Sequence, residues 1–278
     1  MSIFVRNAFI FSLFVISSFT LVSAQKTQLG GWIGASNYFG DLNQGNSLNS
    51  FKRVRPAFGI VYRYNQSPYI TFKGTLNMGF LSFADKASSN YFQQARNLSF
   101  YSRVIEASGH VEFHFNKFIS GDRNFYFTPY LSIGFGLFNF DPKTKLNGEV
   151  FRLIDYGTEG QQNPDLTGRK PYKLFQPTIP IGLGLKYWMG ENWDLIVDLS
   201  YKFTFTDYID DISTTYVDEL ILGTSTVTAQ LADRSGELLD EPIGIPGRQR
   251  GDRVGKDSYM MIGVGVAYTF KKMRCPGE

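Results

Sequence analysis

Cysteine is nearly missing from this chain: Cys275, close to the C-terminal end, is the only one. An exported protein with one thiol has no internal disulfide framework, so its stability must come from the fold itself. Net charge is slight as well, with 28 basic against 25 acidic residues. That balance gives no warrant for a nucleic-acid surface. Histidine is scarce: His110 and His114 are the whole supply. Both fall on one predicted strand and no GxSxG occurs, so a Ser-His-Asp triad has little to draw on and no enzyme is expected. Nor does any segment after Ala24 have the apolar length of a membrane helix.

What is present begins with "MSIFVRNAFIFSLFVISSFTLVSAQ". One positive charge, Arg6, precedes an apolar run that ends in Val22-Ser23-Ala24, the small-x-small pattern of a secretory cleavage site. A membrane anchor would need about 20 apolar residues and a charged stop; here Ser12, Ser17, Ser18 and Thr20 interrupt the run. The expectation is a cleaved signal peptide over residues 1–24 and one barrel domain over 25–278.

Aromatic residues make up 16 % of the chain, beside 28 glycines, yet the mean hydropathy is only −0.17. Strands that alternate between an oily and a polar face average to such a value, in soluble β-sandwiches and outer-membrane barrels alike. Eight segments alternate with period two: 28–37, 56–64, 69–80, 98–115, 124–139, 173–188, 192–205 and 257–270. In "YMMIGVGVAYTF" the even positions from Met260 to Phe270 are large and apolar, whereas Gly263, Gly265, Ala267 and Thr269 are small. Pro180 sits awkwardly within the sixth segment, since it donates no ladder bond.

The second faces and the connections separate the two folds. A sandwich would crowd Lys and Glu onto its wet faces. Here the second faces carry small residues and sparse charges of both signs: Arg63, Lys73, Glu106, His110, Glu112, His114, Lys186, Asp194, Asp198 and Lys202. This suits a narrow lumen in which opposite charges pair. Short connections at 65–68, 116–123 and 189–191 alternate with long ones at about 38–55, 81–97, 140–172 and 206–256. Such alternation is the signature of a transmembrane barrel with periplasmic turns and extracellular loops. The predicted fold is therefore all-β: an eight-stranded antiparallel transmembrane barrel in the bacterial outer membrane, its interior filled by side chains. Outer-membrane lipids are its first expected partner.

Three motifs could carry chemistry. "FTDYIDDISTTYVDEL" places Asp207, Asp210 and Asp211 in the longest loop, with Thr206, Ser213, Thr214 and Thr215 nearby. These are candidates for a loop cation site, although the segment lacks the central glycine and spacing of an EF-hand. The expectation is instead a loop that Asp207, Asp210 and Asp211 organise through hydrogen bonds to its own backbone, as Asx turns do. In "HVEFHF", His110, Glu112 and His114 share one strand face, but ligands spread over about 13 Å cannot converge on one zinc ion about 2 Å from each. A lumenal polar network is expected there, and no cofactor. "GRQRGDR" (247–253) contains Arg-Gly-Asp, read as a basic, glycine-rich loop tip.

"GGWIGASNYFGDLN", "RPAFGIVYRYN" and "ARNLSFYSRVIEASGHVEFHF" on the strands, with "DYGTEGQ", "FTDYIDDISTTYVD", "LADRS" and "GRQRGD" in the loops, resemble the PorG family over nearly the whole mature chain. The resemblance implies an accessory outer-membrane barrel of the type IX secretion system, associating with a periplasmic ring of lipoprotein and partner subunits. That machine exports proteins bearing a C-terminal sorting signal and is linked to gliding motility in some bacteria. No catalytic residue comes with the resemblance. The alternative is an outer-membrane receptor or adhesin that binds a ligand through its long loops.

Overall fold

The structure, a computed structural model, describes residues 27–43, 54–222, 226–252 and 255–270. The expected signal segment 1–24 and Cys275 lie outside the described residues. Among the described residues there are nine strands: β1 (Thr27–Phe39), β2 (Arg55–Asn65), β3 (Ile70–Ala84), β4 (Ser99–His114), β5 (Phe127–Leu146), β6 (Glu149–Arg152), β7 (Phe175–Gly190), β8 (Trp193–Thr204) and β9 (Ser258–Phe270). All pair antiparallel. Every strand but β6 joins one ring, in which β4 meets β5, β5 meets β7 and β9 returns to β1. The chain is an eight-stranded closed barrel. Closure leaves the ring no free edge. Among the described residues no helix is long and apolar enough to cross a membrane, which says nothing about strands.

Alternation fixes the faces. Ile33 lies opposite Phe58 on β2 and Val264 on β9, and all three point outward and are exposed. Gln28, Arg63 and Thr269, on the other parity of the same strands, point inward and are buried. The small inner face of β9 has a use: a side chain at Gly263 would collide with the Trp32 ring. Gly184 likewise leaves space for Tyr130. Pro180 interrupts the β5–β7 ladder, which pairs Ile133 with Ile181 and resumes only at Gly136 with Thr178.

Two strands run past their expected ends. β3 continues to Ala84, because Leu81 and Phe83 keep burying their side chains beyond the barrel rim. β5 continues to Leu146 and folds back on β6, so the connection expected as a loop over 140–172 starts as a hairpin. Asn147 and Gly148 turn it, at φ 51° and 87°, the positive values that a two-residue hairpin turn requires.

The rim with the long connections is closed by an apolar layer. Tyr38 packs edge-on against Phe100 at 4.8 Å, and Phe138 meets both Phe140 and Tyr259. Leu42, Ile209, Ile212 and Leu231 from the loops complete the same buried cluster. Burying each such side chain contributes about 1.5–3 kcal/mol, so the loops are part of the packed fold. At the opposite rim the 116–123 turn folds inward. Phe118 and Ser120 are buried, and the Phe118 ring stands edge-on to His114.

Candidate functional site

Inside the barrel the polar side chains form tiers. Nearest the short turns, Asp194 accepts hydrogen bonds from Gln28 Nε2 at 2.6 Å, Ser120 Oγ at 3.0 Å and Thr269 Oγ1 at 3.1 Å. Above it, Glu112 is a hub. Arg63 Nε, Lys73 Nζ and Lys186 Nζ approach its oxygens at 3.1, 3.4 and 2.5 Å. Lys73 also reaches Asp198 at 3.0 Å, and Tyr130 donates to the same carboxylate. The next tier centres on Glu106, which accepts from Lys202 Nζ at 2.7 Å, Tyr259 OH at 2.6 Å and Asn77 Nδ2 at 3.1 Å.

Strand spacing explains this order. Glu106, His110, Glu112 and His114 all fall on the even, inward parity of β4, with Ser108 between the first two, while the cations come from β2, β3, β7 and β8. Desolvating a charge costs several kcal/mol unless partners surround it, and here each of these carboxylates has a cation. Asp194 departs from the expected cross-lumen pairing. No cation lies within 4 Å of it among the described residues, and it is held by an amide and two hydroxyls instead. His110 and His114 join no metal set either. His110 Nε2 faces Ser108 Oγ at 2.9 Å, and His114 faces Lys186 and the Pro68 carbonyl. A cavity of about 40 Å³, room for water, remains between Trp32, Arg63, Lys73, His110, Asp198 and Lys202.

Over the apolar layer lies a second polar network, built by loops. Glu159 Oε1 accepts from the Ser213 and Thr214 amides at 2.9 and 3.1 Å and from Arg250 Nη1 at 3.0 Å. Arg250 also donates to the carbonyls of Asp211 and Ala232. Four loop segments singled out in the sequence, "DYGTEGQ", "FTDYIDDISTTYVD", "LADRS" and "GRQRGD", therefore meet at one guanidinium. Its side chain is buried, which corrects the reading of "GRQRGDR" as a basic loop tip at Arg250, while Gly247, Arg248 and Gln249 are exposed. A second ion pair joins Arg96 to Asp85 through two contacts of 2.8 and 2.9 Å. Arg96 is delivered there by the short helix Tyr91–Arg96, capped by Asn90 and ended by Asn97 at φ 59°.

The acidic loop residues divide. Asp210 accepts from Tyr38 OH at 2.6 Å and from the Ile212 amide at 2.9 Å, the one expected local turn among the three candidates. Asp207 and Asp211 bond side chains instead: Ser213 Oγ for the first, Thr158 Oγ1 and Tyr172 OH for the second. That corrects the expectation that all three organise the loop through its own backbone. Among the described residues no three His, Cys, Asp or Glu side chains are placed to hold one metal ion.

Burial pushes Asp207 and Asp211 up to about 6 and Asp41 to about 7. Asp210 and Asp257 are also raised well above the carboxylate range, by burial first and then by the charge of Asp41 on Asp210 and of Asp210 on Asp257. The Tyr38 hydroxyl lies between these two carboxyl groups, 2.6 Å from Asp210 Oδ2 and 2.8 Å from Asp257 Oδ1. Sequence reasoning named Arg63, Lys73, Glu106, His110, Glu112, His114, Asp194, Asp198 and Lys202 for the interior, and all lie there. It missed Gln28, Tyr130 and Tyr259, whose inward parity was the available signal, and Ser120, whose turn offers no such signal. It also missed Asp41, Asp85, Arg96, Glu159, Arg250 and Asp257, for which local sequence carries none.

Among solved structures, the chain is similar to neisserial surface protein A, with 12 % identity and a TM-score of 0.42 over 90 % of this chain and all of that one. It is also similar to the attachment invasion locus protein Ail of Yersinia pestis, at 10 % and 0.41 over 89 % of this chain and all of that one. OprG of Pseudomonas aeruginosa follows at 9 % and 0.38, over 90 % and 97 % of the two chains. No curated protein matches the sequence. Residues 7–221 match the family described as a domain of unknown function, DUF6089. The match runs through β8 and the acidic loop residues, and the chain belongs to the DUF6089 family.

Proposed function

We propose that this protein is a structural, non-catalytic barrel of the outer membrane that serves type IX secretion, exported by a cleaved signal over residues 1–24. Its short turns face the periplasm, where it associates with the ring subunits of the secretion machine, and its long loops face outward. The observation that carries the reading is the ordered resemblance of strand and loop segments to the PorG family. A filled lumen and a packed loop cap are consistent with a barrel that holds partners in place. Gliding motility belongs to the same reading in bacteria that glide.

A deletion strain tests it. Loss of many cargo proteins from the medium, restored by the wild-type gene, is the expected result, together with ring subunits cross-linked to the short-turn rim. Normal cargo export with loss of a single binding phenotype would overturn it in favour of a receptor that uses the long loops.

A further inference from the structure

The outer wall of β2–β5 changes character near the long-loop rim. Lower on these strands the outward positions are apolar: Phe72 and Leu76 on β3, Phe113 on β4, and Leu131, Ile133, Phe135 and Leu137 on β5, all exposed. Above them opens a lateral groove of about 940 Å³ whose lining includes Phe80, Arg55, Arg103, Lys143 and Lys145. The register places Phe80 beside Arg103 and Arg103 beside Asp141, with Tyr101 beside Lys143 in the next row. The one carboxylate of the groove, Asp141, is already engaged by Lys143 at 3.0 Å and by Arg152 at 2.5 Å. Among the described residues no carboxylate lies within 4 Å of Arg55, Arg103 or Lys145. On the opposite wall the outer ends of β8 and the chain just beyond it carry the aromatic side chains Tyr201, Phe203 and Phe205.

Arg55, Arg103 and Lys145 have no counter-charge within 4 Å among the described residues, and Lys143 shares Asp141 with Arg152; cations so placed where an apolar belt ends match a molecule that is anionic at one end and oily at the other. We propose that this groove binds a phosphorylated lipid of the outer leaflet, its phosphate held by Arg103, Lys143 and Lys145 and its acyl chains lying on Phe80 and the belt below. Guanidinium groups suit phosphate because they present paired donors in one plane. Aromatic side chains such as Tyr101 favour the level where chains meet headgroups. The groove thus takes a lipid ligand on the barrel's flank, apart from both the lumen and the loop cap.

This inference rests on the outer-membrane reading above, and the two fail separately. Binding is measured on purified barrel in detergent that shows heat-modifiable mobility, whereas location is read by fractionation of cells. Diphosphorylated lipid A, its dephosphorylated form and inorganic phosphate are titrated against the wild type, the R103A/K143A/K145A variant and a charge-matched K117A/R123A/K170A control. The phosphorylated lipid should bind wild type and control alike, and removing the three groove cations should weaken it on the order of a hundredfold. The dephosphorylated lipid should bind far more weakly. Equal binding of the two lipids, an undiminished groove variant, or a control that loses as much as the groove variant would each overturn the proposal. So would release of the lipid by an equal concentration of inorganic phosphate, which would leave a plain anion site.

Discussion

The barrel interior and the loop cap are both buried polar networks, yet they handle negative charge in opposite ways. In the interior, Glu106, Glu112 and Asp198 each meet a lysine or arginine carried by another strand. In the cap, among the described residues, the fully buried Asp85 and Glu159 have such partners, Arg96 and Arg250. Asp210 and Asp257 are satisfied by a phenol and by backbone amides. The difference follows from scaffolding. A closed sheet holds side chains from non-adjacent strands at fixed positions around a narrow lumen, so opposite charges can be set against one another. Loops instead offer dense backbone N–H groups and hydroxyls, which satisfy an acid without neutralising it. The interior is therefore expected to tolerate pH and the cap to respond to it.

The interior should break first and hardest. Glu112→Ala leaves Arg63, Lys73 and Lys186 clustered without their shared counter-charge, at a cost of roughly 3–5 kcal/mol for a buried pair broken on one side. The expected outcome is a lower urea midpoint for the folded band on unboiled gels, with Glu112→Gln falling between the variant and wild type. Arg250→Ala should come next and act locally. It removes the guanidinium on which four loop segments converge, so protease nicking between Asp211 and Gln249 should rise while the barrel remains heat-modifiable.

A pH series sharpens the contrast. The cap aspartates have folded pKa values raised above their unfolded ones, so their contribution to stability is fully present below about pH 4. It is lost as pH rises through the folded values, about 6 for Asp207 and Asp211 and about 7 for Asp41. Loop nicking at pH 8 should exceed that at pH 5, measured with a protease active at both. Asp210→Asn keeps an acceptor for Ile212 but removes the charge, and should reduce the rise. If nicking were independent of pH, the cap acids would not be charged against one another. The smallest effect is expected at Asp240, which is exposed on the cap: Asp240→Ala should change stability by less than about 0.5 kcal/mol.

The two regions also differ in how far the sequence reveals them. Period-two alternation exposes the inward face directly, so Glu106, Glu112, Lys202 and the rest could be assigned to the lumen from parity alone. Which charge meets which could not be read, because register depends on shear around the barrel. Asp194 shows the limit, its partners being Gln28, Thr269 and a serine from an inturned connection. The cap has no periodicity. Glu159 and Arg250 lie 91 positions apart, in segments whose composition reads only as polar loop. The Asn147-Gly148 turn was legible in principle, as the dipeptide that favours a hairpin.

Planar-bilayer recording of the purified, folded barrel tests most directly the claim that these two networks, with the inturned Phe118 and Ser120, fill and close the cylinder. The account predicts a baseline with no sustained channel openings under applied voltage, for the wild type and equally for Arg250→Ala, whose lumen is intact. Stable, voltage-sustained ionic conductance through the wild-type protein would contradict it.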